Sequence, residues 1–252
     1  MTLDLSAAQQ REILKLRALA PHVACVVIGA VAVNHHVPLP RSTGDVDLVL
    51  ALDLADLSDL LERVGWKQHV RMRQRWTAEG FVADVLPASQ ELIAAGAISL
   101  DEDEREMSLA GFDLLFEHAE EHDFSESGET VLVASLPVIV VLKVSAWLER
   151  PYDRKKDLHD LGTILMNALT EDDERRWDGT IDGSFEEQSP RFIGQEVAKI
   201  VRSEHRTLLD AFLRKVLAED SPWLSEIEKG MRPAVLQSPR KALLAFREGL
   251  GK

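Results

Sequence analysis

The constraint that most limits this chain is a short stretch near its start, Val26-Val27-Ile28-Gly29-Ala30, followed by Arg41-Ser42-Thr43-Gly44-Asp45-Val46-Asp47-Leu48-Val49-Leu50. It reads as strand, glycine-bearing turn, short helix, connector and second strand. Side chains alternate faces along a strand, so Asp45 and Asp47 are expected on one side and Val46 and Leu48 on the other. Two carboxylates that close repel unless a cation lies between them. Mg²⁺ (or Mn²⁺), a hard ion that takes one or two carboxylates together with substrate phosphates, suits that pair. An isolated D-x-D equally describes the solvent face of an edge strand. Its company here favours the site: Gly29 lets backbone N–H groups approach a phosphate closely, and Arg41 and Thr43 add a donor and a hydroxyl ahead of the second strand.

The local pattern extends this frame. Helical spacing predicts a helix over 6–18, a strand over 23–28, a short helix over 31–36 ended by Pro38 and Pro40, and a strand over 45–50. A helix over 54–64 stops at Gly65. Residues 66–76 and 80–86 read as a hairpin whose turn, 77–80, is longer than the tightest type. In its second strand Asp84 is the sole charge among apolar neighbours, so it either meets a positive partner or sits at a metal. A small helix over 91–95, an acidic solvated turn over 101–104, a helix over 113–121 and a strand over 130–134 follow.

Pro137 marks a helix start. Lys143, Trp147 and Arg150 lie along one face of that helix, although a lysine on an apolar helix commonly snorkels to water. A second helix from about 153 places Asp157 and Asp160 at the border of its buried stripe. Residues 171–183 read as a surface loop, 193–216 as one long amphipathic helix, and 222–229 and 239–250 as shorter ones.

Composition excludes several classes. A net charge of −14 argues against a surface that binds nucleic acid everywhere. Two basic clusters could still line a groove: Lys67, His69, Arg71, Arg73 and Arg75, and Arg150, Arg154, Lys155 and Lys156. The single Cys25 lies in an apolar run and reads as a buried, inert thiol, which fits a reducing cytoplasm. No secretory leader is legible at the N-terminus, and the apolar run 136–142 is far shorter than the roughly 18 residues of a membrane span, so no membrane partner is expected.

Taken together, Gly29-Ala30, R-x-T-x-D-V-D at Arg41 to Asp47, Asp84 in a strand, K-x-x-A-W-x-x-R from Lys143 and K-D-x-x-D-L from Lys156 resemble the AbiEii/AbiGii-type nucleotidyltransferases of the DNA polymerase β-like superfamily. The likeness runs from about Val23 to Leu165. It implies an α+β nucleotidyltransferase fold, with a mixed β-sheet flanked by helices over 1–135 and a mostly helical region over 136–252 that contributes Lys143 and Asp157. It also implies roles. Asp45, Asp47 and Asp84 would be metal ligands, with Asp84 helping to activate an acceptor hydroxyl. Gly29 and Ala30 would form the phosphate turn, where many superfamily members have Gly-Ser. Arg41 and Thr43 would contact phosphate or the metal shell, Lys143 the triphosphate, and Asp157 the nucleotide or metal.

The function implied is metal-dependent transfer of a nucleoside monophosphate from an NTP to an acceptor, tRNA or another macromolecule, in a toxin–antitoxin or phage-defence role. A cognate antitoxin protein is then an expected partner. A small-molecule acceptor of aminoglycoside type stays open, because an acidic surface suits a cationic antibiotic. So does a non-catalytic nucleotide-binding regulator.

Overall fold

The computed structural model describes residues 3–41, 43–100, 106–123, 128–231 and 238–251, and the chain divides into two compact units, Met1–Ser135 and Leu136–Lys252. In the first unit, helix α1 (Ala7–Leu19) begins at Ser6, whose hydroxyl accepts from the Gln9 N–H while the Gln9 side chain accepts from the Ser6 N–H. This reciprocal cap satisfies two of the helix's orphan donors. Strand β1 (Cys25–Ile28) runs directly into α2 (Gly29–His36), then come β2 (Val46–Leu50) and α3 (Leu54–Val64), which ends on Gly65 in the left-handed region. Next are β3 (Lys67–Gln68), β4 (Arg75–Ala78), β5 (Phe81–Pro87), α4 (Gln90–Ala95), β6 (Ala97–Ser99), β7 (Glu106–Ser108), α5 (Phe112–Glu117), β8 (Ala119–Asp123) and β9 (Thr130–Ala134).

Seven of these strands form one mixed sheet in the order β3-β4-β5-β2-β1-β9-β8, and β6 pairs with β7 separately. Strand β2 is antiparallel to β1 and parallel to β5, and β1 is parallel to β9. The core follows from alternation: Phe81, Ala83 and Val85 of β5 are buried, whereas Val82 and Asp84 on the other face are half-buried.

In the second unit all the described regular structure is helical: α6 (Leu136–Glu149), α7 (Lys155–Asn167), α8 (Phe185–Ile200), α9 (Ser203–Val216), α10 (Trp223–Gly230), α11 (Pro239–Gly249) and a short 3₁₀ turn at Glu174–Arg176. Helix α6 is apolar nearly all round and correspondingly buried, and Trp147 on it packs edge-on against Phe212 and Trp223. Two helix pairs approach backbone to backbone. A Cβ on Gly162 would strike the Ile227 carbonyl oxygen, and one on Gly194 the Phe246 carbonyl oxygen, joining α7 to α10 and α8 to α11.

Four local expectations are corrected. Residues 66–76 make two short strands, and β4 returns into β5 through a two-residue turn, Glu79-Gly80, because Ala78 pairs with Phe81 and Gly80 supplies the positive φ of +70°. The helix expected over 113–121 stops at Glu117, and Ala119–Asp123 instead pairs with β9 as a sheet edge, where exposed Glu120, Glu121 and Asp123 are solvated. The helix expected over 193–216 is two, because Val201 and Arg202 are extended; the Arg202 N–H donates to His205 Nδ1 and starts α9 afresh. Asp45 lies one residue ahead of β2. The acidic turn expected at 101–104 lies outside the described residues. Among the described residues, no helix is long and apolar enough to cross a membrane.

Candidate active site

The register of the sheet places a row of side chains across four strands. Arg75 of β4 stands opposite Asp84 of β5, Asp84 opposite Asp47 of β2, and Asp47 opposite Ile28 at the end of β1. The immediate sequel to Ile28 is Gly29, with φ of +67°, a region costly for any residue with a Cβ. A Cβ there would also collide with the Asp47 carboxylate. The turn therefore packs bare backbone against Asp47, and no side chain caps the start of α2, where Ala30 is buried. That end of the helix carries the positive pole of the peptide dipoles.

Asp45 joins the row through hydrogen bonds. Thr43 Oγ1 donates to Asp45 Oδ1 at 2.8 Å. Arg75 Nη2 donates to Asp45 Oδ2 at 3.0 Å and to Asp84 Oδ2 at 2.9 Å, while Arg75 Nε donates to Asp84 Oδ1 at 2.7 Å. One guanidinium thus forks onto Asp84 and bridges to Asp45, the geometry in which Arg binds carboxylates best. The hydrogen bonds from Asp84 and the fields of Asp84, Asp45 and Asp47 raise the Arg75 pKa above its usual value. By sequence alone Arg75 belongs to the basic cluster of Lys67, His69, Arg71 and Arg73. Lys67, His69, Arg71 and Arg73 are exposed, whereas Arg75 is turned onto Asp45 and Asp84. The signal that finds it is the turn: a two-residue loop at Glu79-Gly80 sets Arg75 opposite Asp84 by counting back along the hairpin. Arg41 is exposed on the segment leading into Thr43.

The donor chemistry of Asp45, Asp47 and Asp84, carboxylate oxygens alone, is the kind a hard divalent cation takes, and in the structure the positive charge held by Asp45 and Asp84 is the Arg75 guanidinium.

The second unit holds its own charged group. Lys143 of α6 is buried and donates to Asp157 Oδ1 at 2.9 Å and Asp160 Oδ2 at 2.7 Å, both on α7. Burial alone would depress the lysine's pKa, but the two carboxylates outweigh it and raise it above 10.5. The lysine does not snorkel. Asp160, noted in the sequence only as bordering the stripe, holds Lys143 as closely as Asp157 does. Asp157 Oδ2 is buried with no hydrogen-bond partner, and Arg154 Nη1 lies 3.9 Å from it. Arg150, Arg154, Lys155 and Lys156 are exposed.

A family model described as "Nucleotidyl transferase AbiEii toxin, Type IV TA system" matches residues 16–229. Two solved structures resemble the chain. One is an antigenic nucleotidyltransferase-like protein from Paracoccidioides brasiliensis, 15% identical, covering 91% of this chain and 97% of that one with a TM-score of 0.42. The other is a candidate nucleotidyltransferase from H. pylori, 11% identical, covering 98% and 96% with a TM-score of 0.37. None of the curated proteins matches the chain.

Proposed function

The chain belongs to the AbiEii nucleotidyltransferase toxin family, and from that premise we propose that it moves a nucleoside monophosphate from an NTP onto a hydroxyl of RNA, with tRNA as acceptor. The acceptor oxygen forms a bond to the α-phosphorus, the bond from that phosphorus to the oxygen bridging to the β-phosphate breaks, and pyrophosphate leaves. One observation carries the reading: three carboxylates, Asp45 ahead of β2, Asp47 on it and Asp84 on β5, lie together beside a glycine turn.

Within this reading Asp45, Asp47 and Asp84 hold Mg²⁺ or Mn²⁺. When bound, that ion offsets the charge of the triphosphate and of the departing pyrophosphate. Asp84 orients the acceptor hydroxyl and takes up its proton. Backbone amides at Gly29 and Ala30 receive phosphate, with Thr43 and Arg41 as further donors. The setting is the cytoplasm, where NTPs and tRNA are found, and the regulatory partner is a cognate antitoxin.

The net charge of −14 favours a second reading, a cationic small-molecule acceptor such as an aminoglycoside. Incubation with the divalent ion and each α-labelled NTP, with total tRNA in one set and aminoglycosides in another, separates the two. Label on tRNA is expected, and Asp47→Asn should lower it by about 100-fold or more while leaving the unfolding midpoint near wild type. Label on the antibiotic alone overturns the RNA reading. Undiminished transfer by Asp47→Asn removes the site.

A further inference from the structure

We propose that Arg75 is a built-in counter-cation of the carboxylate cluster, a guanidinium that holds Asp45 and Asp84 until a divalent ion displaces it. This rests on the reading of Asp45, Asp47 and Asp84 as a cation site.

Three features lead to it. The first is saturation. Both Asp84 oxygens and Asp45 Oδ2 accept from Arg75, and Asp45 Oδ1 accepts from Thr43, so each oxygen of these two carboxylates already faces a donor. The second is charge. A divalent ion bound to oxygens of Asp45 and Asp84 lies about 2.1 Å from each, which leaves it within a few ångströms of a guanidinium bonded to those same oxygens, and like charges at that range repel strongly. Both cannot hold the cluster in this geometry. The third is reach. An ion pair serving only to neutralise Asp84 needs no more than the fork to that residue, yet Nη2 extends to Asp45, on the far side of β2's first residue from Asp47.

Arg75 is also built to let go. Its side chain is 29% exposed, so the released guanidinium can turn toward water without being stranded in the core. Its backbone stays anchored: the Arg75 N–H donates to the Met72 carbonyl, and the His69 N–H donates to the Arg75 carbonyl. Only the side chain has to move. Arg75 therefore sets the threshold for loading, since part of the binding free energy of the divalent ion is spent breaking its hydrogen bonds.

The test is titration calorimetry of the full chain with MnCl₂ in the absence of nucleotide, comparing wild type, Arg75→Gln and Asp47→Asn. Arg75→Gln should bind Mn²⁺ at least about tenfold tighter than wild type, the effect of removing one nearby positive charge. Asp47→Asn should lose binding. Equal or weaker affinity in Arg75→Gln, with wild-type binding that Asp47→Asn abolishes, overturns the role of Arg75 and leaves the cation site standing. No binding by either wild type or Arg75→Gln, or binding unaffected by Asp47→Asn, overturns the cation site and this proposal with it; binding by Arg75→Gln alone supports it. Thermal unfolding supplies a second readout. Saturating Mn²⁺ should raise the Tm of Arg75→Gln more than that of wild type, because the variant's carboxylates otherwise repel one another; an equal or smaller rise counts against the proposal. If Arg75→Gln fails to fold, Arg75→Lys, which keeps the charge without the fork, is expected to bind Mn²⁺ more tightly than wild type, and an unchanged affinity overturns the displacement.

Discussion

Asp84 and Lys143 show how much the meaning of one charged residue depends on what faces it. Each is a charge in an apolar segment, and each turns out to be held by opposite charge: Asp84 by Arg75, Lys143 by Asp157 and Asp160. The Lys143 group is buried, so removing the cation strands two carboxylates in a medium that solvates them poorly. Lys143→Met should therefore lower the free energy of unfolding by about 3–5 kcal/mol, read from urea midpoints. Any loss of nucleotidyl transfer in that variant has to be compared with the loss of stability before it is assigned to phosphate binding. Because the Lys143 pKa lies above 10.5, this stabilisation is complete below that pH and fades as pH rises through the raised value. Gly29 is the one glycine whose side-chain hydrogen is a requirement of the site, since both its φ and the Asp47 carboxylate exclude a Cβ.

At the scale of elements, α2 links the carboxylate cluster to a group of histidines in the first unit. Its start lies at Asp47 and its end carries His35, whose Nε2 sits 3.0 Å from Nδ1 of His122 on β8. Burial, with His122 and His36 alongside, depresses the His35 pKa from 6.5 to about 4. The folded state thus resists a proton that the unfolded chain accepts, so the contribution of His35 is present above pH 6.5 and is lost as pH falls toward 4. The stability advantage of wild type over His35→Gln should shrink between pH 7 and pH 5, read from urea midpoints at each pH; a constant difference would count against this account. The helix pairs of the second unit make a different demand. With α8 and α11 in backbone contact at Gly194, Gly194→Ala must push the helices apart, at a cost of about 1–3 kcal/mol. Calorimetric melting should show it as a fall in Tm, whereas a substitution at exposed Gly179, where a Cβ meets nothing, tests only its positive φ.

For the whole molecule, charge is the governing quantity. A chain of net −14 repels RNA except where cations cluster, and the hairpin bearing exposed Lys67, Arg71 and Arg73 is one such place. If RNA is the acceptor, its affinity should fall steeply with salt, with a log–log slope of about −2 to −3 for three or four phosphate contacts. Fluorescence anisotropy with labelled tRNA measures this. A complete lack of binding at low salt would favour a small cationic acceptor.

Local features of the chain were enough to mark the strand-turn-helix at Val26 to Ala30, the D-x-D entering β2, the Gly65 cap and the helix start at Pro137, because spacing, caps and glycine act over a few residues. They also singled out Asp45 and Asp47 by alternation, a local rule, although Asp45 lies one residue ahead of β2. Tertiary structure alone decided the rest. Ala119–Asp123 is a poor strand former that becomes a strand because β9 offers it a register, and the helix over 193–216 breaks at Val201 and Arg202 although its apolar spacing continues. The pairing of Arg75 with Asp84 depended on one turn being two residues long, a one-residue matter that decides which side chains share a face. Partners brought together by pairing and packing carry little signature in the segments they come from, and so the acids stood out in the chain while the cation that holds two of them hung on the length of one turn.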